Sequence, residues 1–203
     1  MKPKIILIIS AAVIVAGLTI SASFPERTLI NLILVLALAG VLLLFREKIS
    51  DFGLCAGDVS RGLKYSIILL TLAFPLMLYG STLESFRNYY PIWAPASLSI
   101  ENLIVYEIAI GVMMLYTEFF YRGFLLFGLS KSERYGKYAN LIQSFIYMLM
   151  HAGKPGLEVP YSFIAGYVFG IIDLRCKSIL PSFIIHFTGS LLFDLMILFL
   201  WNG

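Results

Sequence analysis

Seven apolar runs take up most of this chain, at about Ile5–Ser23, Leu29–Phe45, Tyr65–Ser81, Leu103–Leu129, Ala139–His151, Tyr161–Ile172 and Ser178–Trp201. Hydrocarbon offers no water to backbone amides and carbonyls, so such runs form helices that satisfy their own hydrogen bonds. A hydrophobic content of 60% and a mean hydropathy of +0.89 exclude an ordinary soluble domain. The 203 residues suffice for one bundle of about six to eight spans of roughly 20 residues each. The expected fold is therefore an all-α polytopic transmembrane helix bundle of about seven spans, forming a single membrane domain.

Basic residues gather in every second connection: Lys2 and Lys4; Arg46, Lys48, Arg61 and Lys64; Lys131, Arg134 and Lys137; Arg175 and Lys177. The alternate connections carry Arg27, Arg87 and Lys154. Positive residues mark the cytoplasmic side, which predicts a cytoplasmic N-terminus and a C-terminus outside. Lys2 and Lys4, the apolar run after them and Ser21-Ala22-Ser23 also have the layout of a signal peptide, although retention as the first helix is favoured. A net charge of +3, spread over loops, gives no reason to expect a nucleic acid partner. Cys55 and Cys176 fall on the assigned cytoplasmic side, where thiols stay reduced. The segment Thr82–Asn102, with Tyr89, Tyr90 and Trp93, reads as an outer loop among the headgroups.

Against this background the ionisable residues inside the runs stand out, because charges at membrane depth are costly and usually functional. Glu118 and Arg122 lie one helical turn apart and can pair, which would orient the carboxylate. His151 and His186 are the only histidines, and His186 shares a helix face with Ser190. With a rise of about 1.5 Å per residue, Glu118 lies roughly 17 Å above Leu129, His151 roughly 18 Å above Ala139 and His186 roughly 12 Å above Ser178. All three occupy a similar level. The runs Ala139–His151 and Tyr161–Ile172 are shorter than the roughly 20 residues of a full span, so short or broken helices are expected near the site. The stretch from His151 to Glu158 is predicted to dip inward between them.

A carboxylate beside a histidine can take a proton from water, while imidazole and hydroxyl donors can hold an oxyanion. Glu118 with His151 suits the first role, and His186 with Ser190 the second. Glu158 is an alternative carboxylate. The plainer readings are a Glu–Arg staple within the bundle and histidines bonded to neighbouring carbonyls. Glu107 is expected at the outer interface, Asp173 and Asp194 as interfacial or interhelical polar contacts, and Gly166 and Gly170 as points of close helix approach. A glutamate and two histidines have the donors of a zinc site with water as fourth ligand. The spacing lacks an H-E-x-x-H signature, so no metal and no other cofactor is expected.

The order Thr117-Glu118…Arg122-Gly123, Tyr147…His151 and His186…Ser190 resembles the CPBP family of intramembrane proteases, which includes CAAX prenyl endopeptidases and bacteriocin-processing or immunity proteins. The resemblance covers about Leu103–Leu198. It divides the chain into N-terminal helices and loops at 1–102 and a protease-like core at 103–198. It implies an endopeptidase acting in the lipid bilayer on a membrane-associated peptide or protein, prenylated in one family activity. Thr117 stands where the family carries its first glutamate, and Ser190 where it carries asparagine. A neighbouring residue points about 100° away around a helix, so Glu118 replaces that glutamate only if the helix turns. The competing expectations are an inactive scaffold or immunity factor and a small proton-coupled transporter, the latter lacking the repeats such proteins show.

Overall fold

The computed structural model describes residues 1–201. The expectation for the C-terminal end, Asn202 and Gly203, lies outside them. Seven apolar helices follow the seven runs: α1 (Pro3–Thr19), α2 (Phe24–Leu44), α3 (Val59–Thr82), α4 (Ile100–Ser130), α5 (Ala139–Leu149), α6 (Glu158–Cys176) and α7 (Leu180–Leu200). Five of them, α2, α3, α4, α6 and α7, are long and apolar enough to cross a membrane. No strand forms among the described residues. The chain is an integral membrane protein with an all-helical bundle.

Sequence chemistry sets the helix ends. The Ser23 amide and hydroxyl both donate to Glu26 Oε2, at 2.8 and 2.7 Å, which caps α2. Asp58 accepts the Arg61 amide at 3.0 Å to start α3, and Ser99 accepts the Asn102 amide at 3.2 Å to start α4. At 11 residues α5 rises only about 16 Å, and the chain leaves it through Gly153, whose φ of 92° favours glycine. The expected broken segment therefore exists at α5. The expected short helix at 161–172 does not: α6 runs 19 residues, extending through Glu158 and Pro160 at one end and Asp173 at the other. Polarity at both ends hides its length in the sequence.

The core lies around the second half of α4. From Phe119 to Phe127 this helix widens into a π-helix, and all nine residues are buried. Phe119, Phe120, Phe124 and Leu125 pack there with Ile6 of α1, Leu42 of α2 and Phe52 of the short turn at Ile49–Phe52. By contrast Leu36, Leu44 and Leu72 on the outer faces of α2 and α3 remain exposed, as residues facing lipid are. Gly170 of α6 fits directly against α5, since a Cβ there would overlap the Asn140 amide. Gly166 is similarly close, with Tyr147 Cδ1 at 3.1 Å from such a Cβ. The small-residue spacing thus serves close helix approach.

Candidate active site

The π-helical stretch begins immediately after Glu118, a placement common near functional residues. Glu118 is fully buried, and its Oε1 lies 2.6 Å from His186 Nδ1 of α7. Its Oε2 lies 3.3 Å from Arg122 Nε. An ionised carboxylate only accepts hydrogen bonds, so the network assigns the Nδ1 proton to His186 and turns Nε2 toward the Tyr147 hydroxyl at 3.3 Å. Arg122 is also fully buried. Its guanidinium sits 4.3 Å from the Tyr147 ring centre, 5.5 Å from Phe169 and 5.9 Å from Tyr121, so aromatic faces take up the charge that one carboxylate leaves.

His151 stands just beyond the end of α5. Its Nδ1 is 2.8 Å from the Tyr147 carbonyl, which accepts only and so fixes the proton on Nδ1. The other nitrogen, Nε2, is 3.8 Å from Glu158 Oε1. Glu158, the first residue of α6, accepts from Lys154 Nζ at 2.6 Å and from the Tyr90 hydroxyl at 2.8 Å. Burial, and then the charge of Glu158, hold the Tyr90 phenol well above its ordinary range, so it remains a donor. The 82–102 segment thereby reaches the carboxylate.

One cavity of about 1010 Å³ joins these groups, with Thr117, Tyr147, His151, Glu158, His186 and Ser190 in its wall. Glu118 does not reach it; the carboxylate lies behind His186. The expected pairing of Glu118 with His151 is therefore replaced by two separate pairs, Glu118 with His186 and His151 with Glu158. Helix geometry explains this: α4 has not turned to bring Glu118 round, and Thr117 keeps the cavity-facing position with its hydroxyl bonded to the Met113 carbonyl at 2.9 Å. The cavity is also less polar than charged walls alone would make it, since aromatic and aliphatic side chains supply most of its surface.

Two further polar groups sit nearby. Ser182 donates to Asp173 Oδ2 at 2.6 Å and its amide to Oδ1 at 3.2 Å, a fully buried contact between α6 and α7. Asp194 lines the cavity and accepts from the Tyr106 hydroxyl at 3.4 Å. Glu107 is buried, and neither of its carboxylate oxygens has a hydrogen-bond partner among the described residues. Tyr147 and Tyr90 are the contributors that charge patterning misses. Tyr147 has a signal in its position four residues before His151, whereas nothing local marks Tyr90.

Among the described residues no three His, Cys, Asp or Glu side chains converge to hold a metal ion, because Glu118 is engaged with Arg122 and His186 while Glu158 belongs to His151. Cys55 and Cys176 are both free thiols, the first exposed and the second buried as the last residue of α6.

The family model for type II CAAX prenyl endopeptidases, Rce1-like, matches residues 99–192. That span runs from the cap of α4 to beyond Ser190 and contains every residue of the site except Tyr90 and Asp194. No curated protein and no solved structure matches the chain.

Proposed function

We propose, from the premise that the chain belongs to the CPBP family over residues 99–192, that it is an intramembrane endopeptidase cutting a membrane-associated peptide or protein. The observation that carries this reading is the convergence of His151, His186 and Ser190 on one cavity. His151 Nε2 is the general base, since its Nδ1 proton is committed to the Tyr147 carbonyl and leaves a lone pair facing the cavity. Water attacks the scissile carbonyl carbon as His151 takes its proton. Glu158 balances the imidazolium charge that results. The carbonyl oxygen becomes an oxyanion held by the Ser190 hydroxyl and by His186 Nε2–H, the ring having taken that second proton from water in the cavity before the attack. The proton on His151 then passes to the leaving nitrogen as the C–N bond breaks, giving a carboxylic acid and an amine; the acid's proton then passes to the amine or to water.

Glu118 and Arg122 are positioning residues in this scheme. Glu118 holds the His186 ring through Nδ1 and balances its charge, and Arg122 fixes Glu118 from the next turn. No step passes through a metal or other cofactor. A second reading, an inactive scaffold or immunity factor, is favoured by one observation: the cavity wall at 117 carries threonine where the family carries glutamate. Purified protein in bilayers, assayed against prenylated and unmodified membrane-anchored peptides, separates the two. Cleavage lost in His151→Ala supports the protease; no cleavage of any peptide by well-folded wild-type protein supports the scaffold.

A further inference from the structure

Resting on that reading of the site, we infer that the cavity opens to the non-cytoplasmic face, so that its substrate is an apolar peptide segment presented from outside the cell membrane. The two ends of the bundle differ sharply. At one end the N-terminal amine pairs with Glu47, Lys131 with Asp51 at 3.7 Å, the Ser178 hydroxyl with the Cys55 carbonyl at 2.5 Å and the Asp58 amide with the Cys176 carbonyl at 2.9 Å. These contacts bring together the chain start and the α2–α3, α4–α5 and α6–α7 connections. Those four segments and the helix turns beside them carry eleven of the fifteen Lys and Arg residues: Lys2, Lys4, Arg46, Lys48, Arg61, Lys64, Lys131, Arg134, Lys137, Arg175 and Lys177.

At the other end Phe24 stacks on Trp93 at 5.6 Å, Tyr90 bonds Glu158 and the Trp201 indole donates to Ser81 at 2.9 Å. This end has only Arg27, Arg87 and Lys154. Short loops rich in Lys and Arg stay in the cytoplasm, so the second end is the outer one. The cavity wall takes residues from all three of that end's connections, among them Ile20, Ala22, Tyr89, Tyr90, Ala152 and Lys154. None of its wall comes from the basic connections. Water and substrate therefore enter from outside, and a wall of aromatic and aliphatic side chains selects an apolar segment over a charged one.

Cysteine labelling tests this without any need for cleavage. Native Cys55, exposed at the basic end, reports that end in a Cys176→Ala chain. Ala152→Cys, or Ala22→Cys if the first expresses poorly, reports the cavity end in a chain also carrying Cys55→Ala and Cys176→Ala. Intact cells of a bacterial host are treated with a membrane-impermeant maleimide. The expected result is full labelling of the Ala152→Cys chain in intact cells and labelling of Cys55 only after permeabilisation. Protection of both cavity-end cysteines in intact cells, or labelling of Cys55 there, overturns the inference. In sealed vesicles of known orientation, a cleavable apolar peptide should then be cut only when added to the face bearing residue 152. Failure of cleavage on both faces with the labelling pattern intact would count against the protease reading and leave the orientation standing.

Discussion

Glu118 and His186 meet at 2.6 Å between α4 and α7, and that contact places the only fully buried glutamate of the cluster behind the cavity rather than in it. A glutamate in this position is replaceable as a base but not as a partner. Removing one member of a buried ion pair leaves the other charge uncompensated, at about 3–5 kcal/mol. Glu118→Gln is therefore expected to lower unfolding stability in detergent by an amount of that order, because among the described residues Glu118 is the carboxylate at ion-pair distance from Arg122. Unchanged stability in this variant would show that the aromatic rings around Arg122 suffice.

The opposite pattern is expected at Glu158. Its pair with Lys154 is partly exposed, and such pairs contribute only about 0–1 kcal/mol. Glu158→Gln and His151→Ala should leave the melting temperature near that of the wild type while lowering cleavage by about 10²–10⁴-fold, the usual contribution of a general base. Cleavage that survives in both variants would move the base elsewhere in the cavity wall.

The level of the site is readable in the sequence because depth along a helix depends only on rise per residue, and three independent helices bring His151, His186 and Glu118 to one region. Direction around a helix is harder to read. Whether Thr117 or Glu118 faces the cavity depends on how α4 packs against α5 and α7, and the π-helix after Glu118 has no local signature in Phe119–Phe127. The same limit applies to α6. Asp173 reads as a helix end by polarity, yet Ser182 satisfies it within the bundle, which lets α6 continue to Cys176. Tyr90 is about seventy residues from Glu158 in sequence, and only the folding of the 82–102 segment joins them.

The glycines of α6 offer a test of packing separate from chemistry. Gly170→Ala would drive a methyl group into Asn140, so repacking against α5 is expected to cost about 1–3 kcal/mol. Gly40 of α2 is the matched control, since a methyl group there meets nothing within 4 Å. Gly40→Ala should be neutral or stabilising by about 1 kcal/mol from helix propensity alone. Equal changes in both variants, measured by denaturation in detergent, would argue that contact between α5 and α6 does not set the effect.

Thr117 provides the sharpest test of which wall of the cavity must carry the carboxylate. Its side chain is in the cavity wall with His151 and His186, so a carboxylate introduced there enters the space that Glu118 cannot reach. Thr117→Glu alone changes the local charge without removing Glu158, and its effect on rate mixes the two. The informative variant is Thr117→Glu in a Glu158→Gln background. If Glu158 serves as the acid partner of His151 because threonine occupies position 117, the double variant should recover cleavage to within about tenfold of the wild type. Arg122 and the Glu118–His186 contact remain in place, so the oxyanion side of the cavity is unaltered. Recovery would show that either wall of the cavity can carry the carboxylate. A folded double variant as inactive as Glu158→Gln would instead tie the chemistry to the Tyr90–Glu158–Lys154 cluster, where the 82–102 segment closes on the site.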